Sequence, residues 1–130
     1  MWVEPTVSES AFEIAQCLVD GDEAMAIRLA FRIIERYDRS TWEVREAMVS
    51  DEPAPTGNVC FDALLAALVE YSCAVRHVVP PQWVEGSSRF LNKFWFVANL
   101  RGLEADALAN SPISFARRGI FINSGALSYA

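Results

Sequence analysis

The stretch from Val59 to Val78 constrains this chain more than any other, because it reads as a helix that must be covered on both sides. Phe61, Leu64, Leu65, Leu68, Val69 and Val75 share one apolar stripe at helical spacing. Ala63, Ala66 and Ala67 make a second face, small enough for close contact with a neighbouring helix. Pro80-Pro81 must end the helix, since proline lacks the amide hydrogen and clashes with the preceding turn. A helix apolar on both sides belongs at the centre of a fold, so the flanking sequence has to supply its cover.

The first fifty residues supply amphipathic helices. Ser8 or Ser10 is placed to cap a helix reaching about Val19, and Asp20-Gly21-Asp22 breaks it, with Gly21 suited to a left-handed C-terminal position. Asp22 and Glu23 open a second helix to about Asp38, their charge favouring its positive N-terminal end. Its stripe is Ile27, Ala30, Phe31, Ile34 and Tyr37. So tight a break predicts an antiparallel hairpin. Ser40 or Thr41 caps a third helix, Glu43 lying three residues after Ser40 as in a capping box.

The polar, proline-rich residues 53–58 read as a loop between an N-terminal helical unit, 1–52, and a C-terminal helical unit, 59–130. Neither unit buries enough surface alone, so 1–130 is expected to be a single domain. Beyond the prolines, Ser88 is expected to cap a short helix through Phe96, and Leu100 to Ala109 to form another. Ser111-Pro112 should start a third, with proline at its first position. Ile120-Phe121-Ile122 suits a short strand or an extended segment, and Ser124 a last turn. The expected class is all-α, a compact multi-helix domain with at most a short C-terminal strand.

Composition narrows the function classes. The hydrophobic share is 52%, yet no apolar run approaches the roughly 20 residues of a membrane helix. Residues 1–10 carry neither a basic nor an apolar signal region, so a cytoplasmic protein is expected. The three cysteines, Cys17, Cys60 and Cys73, are widely spaced and read as buried free thiols. His77 has no second ligand at metal-site spacing, so neither metal nor cofactor is expected.

Residues 1–70 hold 14 acids and 5 bases, residues 71–130 hold 3 and 6; the balances of −9 and +3 sum to the net charge of −6. A chain so polarised steers toward a charged partner or pairs head to tail with itself. A domain built for nucleic acid would normally be basic overall, which disfavours DNA as the main ligand without excluding it.

No arrangement of acids, bases and nucleophiles assembles from spacing, so no enzyme is expected. Cys73 and His77 stand one turn apart, but nothing orients the pair, and His77 better suits the end of the central helix as a cation. Arg28, Arg32, Arg36 and Arg39 form a ridge whose neighbouring acids mark it as a solvated face. Phe90, Phe94, Trp95 and Phe96, with Arg89, Asn92 and Lys93 interleaved, suit base stacking, but rings this dense more often form core. Trp83, just upstream, reads as an exposed interface anchor. Arg117-Arg118 beside Ile120-Phe121-Ile122 suits a charge-guarded edge strand and a docking strip for a partner strand equally well.

From Thr56 onward the chain carries a recognisable pattern. Its blocks are Gly57-Asn58 leading into Phe61-Asp62-Ala63-Leu64-Leu65-Ala66-Ala67-Leu68, then Pro81-Gln82-Trp83-Val84. Arg89-Phe90-Leu91-Asn92-Lys93-Phe94-Trp95-Phe96 follows, and then Ser111 through Ile122. This resembles the C-terminal region of bacterial helix-turn-helix regulators encoded beside nucleotidyltransferase-like toxins. The first fifty residues depart from that group: they are acidic and show no recognition helix after a tight turn.

The resemblance implies an antitoxin-like protein that binds and neutralises a cognate, nucleotidyltransferase-like toxin by occlusion. The alternative it leaves open is a transcriptional regulator or sensory domain that binds DNA or a small ligand. Trp83, Arg89, Lys93, Arg117, Arg118 and Phe121 are the expected contact residues, aromatic anchors beside cations as interface hot spots often are. Charge reversal at Arg117 and Arg118 is then expected to weaken the partner.

Overall fold

Thr6 starts the first helix in the computed structural model, which describes residues 5–97, 107 and 110–122. Its hydroxyl accepts from Glu9 N while the Glu9 carboxylate accepts from Thr6 N, a closed capping box one turn earlier than the serines suggested. Ser10 is instead buried inside the helix, α1 (Val7–Val19). Gly21, at φ 76°, ends it: Gly21 N bonds Leu18 O and Asp22 N bonds Cys17 O, so the last carbonyls are satisfied. Asp22 then caps α2 (Glu23–Arg39) through Met25 N. The two helices lie against each other, and Ala11 and Ile14 of α1 share the buried core with Ala26, Ala30, Ile33 and Ile34 of α2.

Thr41, not Ser40, caps α3 (Trp42–Val49), and the Ser40 hydroxyl donates back to Arg36 O at 2.7 Å. Residues 50–58 carry no helix, yet they are not loose: Pro53 and Thr56 are buried. The Asp62 carboxylate accepts from both the backbone N–H and the hydroxyl of Thr56, each at 2.8 Å. Asn58 caps α4 (Val59–Val75) through Cys60 N.

Every residue from Phe61 to Val69 is buried, so α4 occupies the centre that its two apolar faces required. It ends at Val75 rather than Val78, and Val75 itself is exposed. His77 sits in the left-handed region at φ 58°, with His77 N bonding Ala74 O and Val78 N bonding Cys73 O. This closing pattern usually employs glycine.

The segment after Pro81 departs from the expected helix. It makes two 3-10 turns, Gln82–Glu85 and Ser87–Arg89, and then runs extended into strand β1 (Trp95–Phe96). Pro112 caps a single turn of helix, α5 (Ile113–Ala116), and Gly119, at φ 84°, turns the chain into strand β2 (Ile120–Phe121). The strands pair in parallel, Trp95 opposite Ile120 and Phe96 opposite Phe121. Leu91, Trp95 and Val97 donate to the carbonyls of Arg118, Gly119 and Phe121. The class is therefore mainly helical with one small parallel sheet. The expected helix over 100–109 and the turn at Ser124 lie outside the described residues, apart from Ala107.

Among the described residues the main apolar core runs from Val7 to Ile122, with α2, α5 and the 3-10 turns against α4, and a smaller cluster gathers Ala107, Phe121, Phe96 and Ala116. Among the described residues no helix is long and apolar enough to cross a membrane.

Candidate functional site

Two places gather polar chemistry. The first is the C-terminal region, where all six expected contact residues lie. Arg118 is completely buried, and its guanidinium contacts the Glu70 carboxylate and donates to Ser114 O and Val84 O at 2.8 Å each. Arg117 forks onto the same carboxylate, Nη2 to Oε2 at 2.8 Å and Nε to Oε1 at 3.1 Å, and also meets Glu85. Both guanidinium groups face the Phe90 ring, with carbon-to-centroid distances of 5.1 and 4.8 Å.

The electrostatics follow from this geometry. Burial pushes the Glu70 carboxyl up, but hydrogen bonds from Arg117 and Arg118 outweigh it and leave the group below its ordinary value. Burial pulls the Arg118 guanidinium below its usual value against the opposing pull of Glu70. Arg117, nearer to solvent, is raised by its bonds to Glu70 and then Glu85. Glu70 is, with Asp62, one of two acids in the mainly apolar α4, a signal in the sequence for the internal cation it holds.

Arg89 is buried too. It donates to Asp62 O at 3.0 Å and Pro53 O at 3.1 Å, meets Glu52 at 3.1 Å and lies over the Trp83 ring at 4.9 Å. Trp83 is half-buried, its indole N–H donating to Val49 O at 2.8 Å, so it ties α3 to the C-terminal region instead of standing free. Phe121 is buried between Phe94 and Phe96, with ring centroids 5.0 and 5.4 Å away.

The six residues thus divide. Arg89, Arg118 and Phe121 are internal, Trp83 is half-covered, Arg117 is at the rim and Lys93 is exposed. Of this region's described aromatics Phe94 is presented to solvent, 69% exposed, although rings so dense in a sequence more often form core. Charge reversal at Arg118 would strike the fold before any interface.

The second place is a groove of about 700 Å³ where the C-terminal ends of α2 and α4 meet α3. Trp42, Val49, Val78, Val79 and Pro81 give it a mainly apolar lining, and Arg45, Glu46, Arg76 and His77 supply charge and hydrogen bonds. Tyr37 and Cys73 also line it, the hydroxyl 3.6 Å from Sγ. Burial, and then the bond to Cys73, pushes the Tyr37 hydroxyl well above its ordinary value. Burial likewise pushes the Cys73 thiol up, opposite to what a nucleophile needs. The expected one-turn spacing of Cys73 and His77 is lost because the helix ends between them.

Arg45 lies at the edge of α3 over the Tyr37 ring, 5.4 Å from its centroid. Its Nε donates to Tyr37 O and its Nη2 to Asp38 O, both at 2.7 Å. Arg76, by contrast, pairs with the Asp38 carboxylate at 2.9 Å. Among the described residues no cluster of histidine, cysteine and acidic side chains is arranged to hold a metal.

Comparison with protein-family models, with curated proteins and with solved structures finds no match to this chain.

Proposed function

We propose that the chain is a non-catalytic binding protein, antitoxin-like, which occludes a cognate and nucleotidyltransferase-like protein. The observation that supports this reading is Phe94. It is exposed, seated edge-on against Phe121, and next to the exposed Lys93 within the segment that carries the family resemblance. A rigid aromatic held out of the core beside a cation is the kind of anchor that concentrates binding energy. Arg117 flanks the region but is already neutralised by Glu70 and Glu85, so apolar contact is expected to outweigh charge attraction.

The test is to purify the tagged chain from its native host and identify what co-elutes by mass spectrometry and light scattering. A stoichiometric protein partner should appear. Phe94→Ala should weaken that partner by roughly tenfold or more in titration calorimetry, as loss of an anchor does. The same change should leave stability within about 0.5 kcal/mol, as at exposed sites generally. Elution without a partner, or an affinity that ignores Phe94, would sink the reading.

A second reading, a regulator or sensory domain, draws on the groove beside Trp42 and Arg45, whose volume falls in the range of small-ligand sites. Its DNA-binding form predicts salt-dependent retention on DNA, and retention indifferent to salt counts against it.

A further inference from the structure

Arg45 carries a charge that only the end of a helix dipole offsets, in part, among the described residues. Its fork donates to the carbonyl oxygens of Tyr37 and Asp38, which are neutral groups, and among the described residues it makes no ion pair. Those carbonyls belong to the C-terminal end of α2, which offers about half an elementary negative charge. Arg76 shares the same end and is neutralised by Asp38, so a positive excess remains on Arg45. Glu46 lines the groove but is not paired with it. An anion entering the recess would meet this guanidinium in a mainly apolar surrounding, where a charge-assisted contact is stronger than in open water.

The recess around Arg45 has the complementary shape for an apolar body. Trp42 stands 58% exposed at one side and Val79 89% exposed at another, so large apolar surface is left uncovered where the charge is only partly offset. His77 borders the same space in a left-handed conformation that glycine would adopt more easily. A volume of about 700 Å³ suits a molecule of drug-like size.

We propose that this groove binds a small amphipathic organic anion, its carboxylate or sulfonate meeting Arg45 and its ring or chain lying between Trp42 and Val79. The proposal rests on the ligand form of the second reading and is independent of the Phe94 surface, with which the groove shares no residue.

Two dyes of similar shape test it with the full chain: 8-anilinonaphthalene-1-sulfonate, an anion, and N-phenyl-1-naphthylamine, which is uncharged. The anion should bind saturably and with a single site, quenching Trp42, and should bind roughly tenfold or more tightly than the neutral dye, the scale of one charge-assisted contact. Arg45→Gln should erase that preference, with circular dichroism checking that the helices persist. Val79→Asp alters an exposed position, so it keeps the fold while placing a carboxylate in the recess, and it should weaken the anion by about tenfold. Equal binding of the two dyes overturns the proposal, as does an anion affinity untouched by Val79→Asp. Neither result would bear on Phe94 and its protein partner.

Discussion

The two halves of this molecule are held together by different physics. Around α4, the N-terminal helices meet a surface of leucine, alanine and phenylalanine, and stability comes from apolar area and close packing. Among the described residues from Gln82 to Val97 the chain makes only two 3-10 turns and a two-residue strand, and two buried arginines tie distant carbonyls together around it. Arg89 gathers the backbone of Pro53 and Asp62, while Arg118 gathers Val84 and Ser114 around Glu70. The first kind of region tolerates exchange among similar apolar residues. The second does not, because each guanidinium is specified by several acceptors at once.

The contrast breaks most sharply at Arg118. Arg118→Ala leaves the carbonyls of Ser114 and Val84 buried without their donor and Glu70 held by Arg117 alone, and should cost about 2–5 kcal/mol in urea denaturation. Arg118→Met, which fills nearly the same volume without charge, should recover the packing part of that loss and leave the two carbonyls without their donor. A cost within about 1 kcal/mol for Arg118→Ala would place the organising force of the C-terminal half in its aromatic rings. In the other half, Leu64→Ala opens a cavity in the core and should cost about 2–5 kcal/mol, with little dependence on salt or pH.

A milder attack on the arginine region is acid. The folded Glu70 carboxyl lies below its ordinary value of 4.5, so the folded chain holds fewer protons there than the unfolded chain does. Its stabilising contribution is complete above 4.5 and disappears as pH falls through the lower folded value. The urea midpoint should therefore drop on acidification below 4.5, and Glu70→Gln should lose that part of the slope. An identical slope in wild type and variant would assign the acid sensitivity to other carboxylates.

The same division explains what the sequence could say. The helices of the N-terminal half and α4 were legible because their information is local: a stripe every three or four residues, a polar cap, a glycine at the end. Even there, the cap of α1 was assigned to Ser8 or Ser10 because three polar residues compete within one turn, and only the Glu9 partnership selects Thr6. Phe90 and Phe94, one turn apart, imitate helical periodicity, so residues 88–96 read as a helix. The backbone partners of Leu91 and Trp95 are instead the carbonyls of Arg118 and Gly119, more than twenty positions away, which no local window contains. The arginines read as surface features for a related reason: a charged side chain counts as solvent-facing in the sequence, and the partner of Arg117 and Arg118, Glu70, lies more than forty positions away.

Helix ends give a smaller test of local information. Thr6→Ala removes one side of the α1 capping box and should cost about 1 kcal/mol, fraying only the N-terminal half. Loss of the C-terminal aromatic signals in near-ultraviolet circular dichroism at the same denaturant concentration would show that the halves unfold as one unit.

The smallest effect is expected at the hinge between the two regions. His77 ends α4 at φ 58°, where an L-residue with a side chain is disfavoured by roughly 1–2 kcal/mol and glycine is not. Glycine also gives the unfolded chain more freedom, which returns about 0.5–1 kcal/mol of that gain. His77→Gly should therefore stabilise the protein by under about 1 kcal/mol and raise the melting temperature by a few degrees. If the melting temperature falls instead, the imidazole makes contacts that outweigh the backbone strain. The turn into the arginine-held half would then depend on that side chain, and the boundary between local and long-range control would move back into α4.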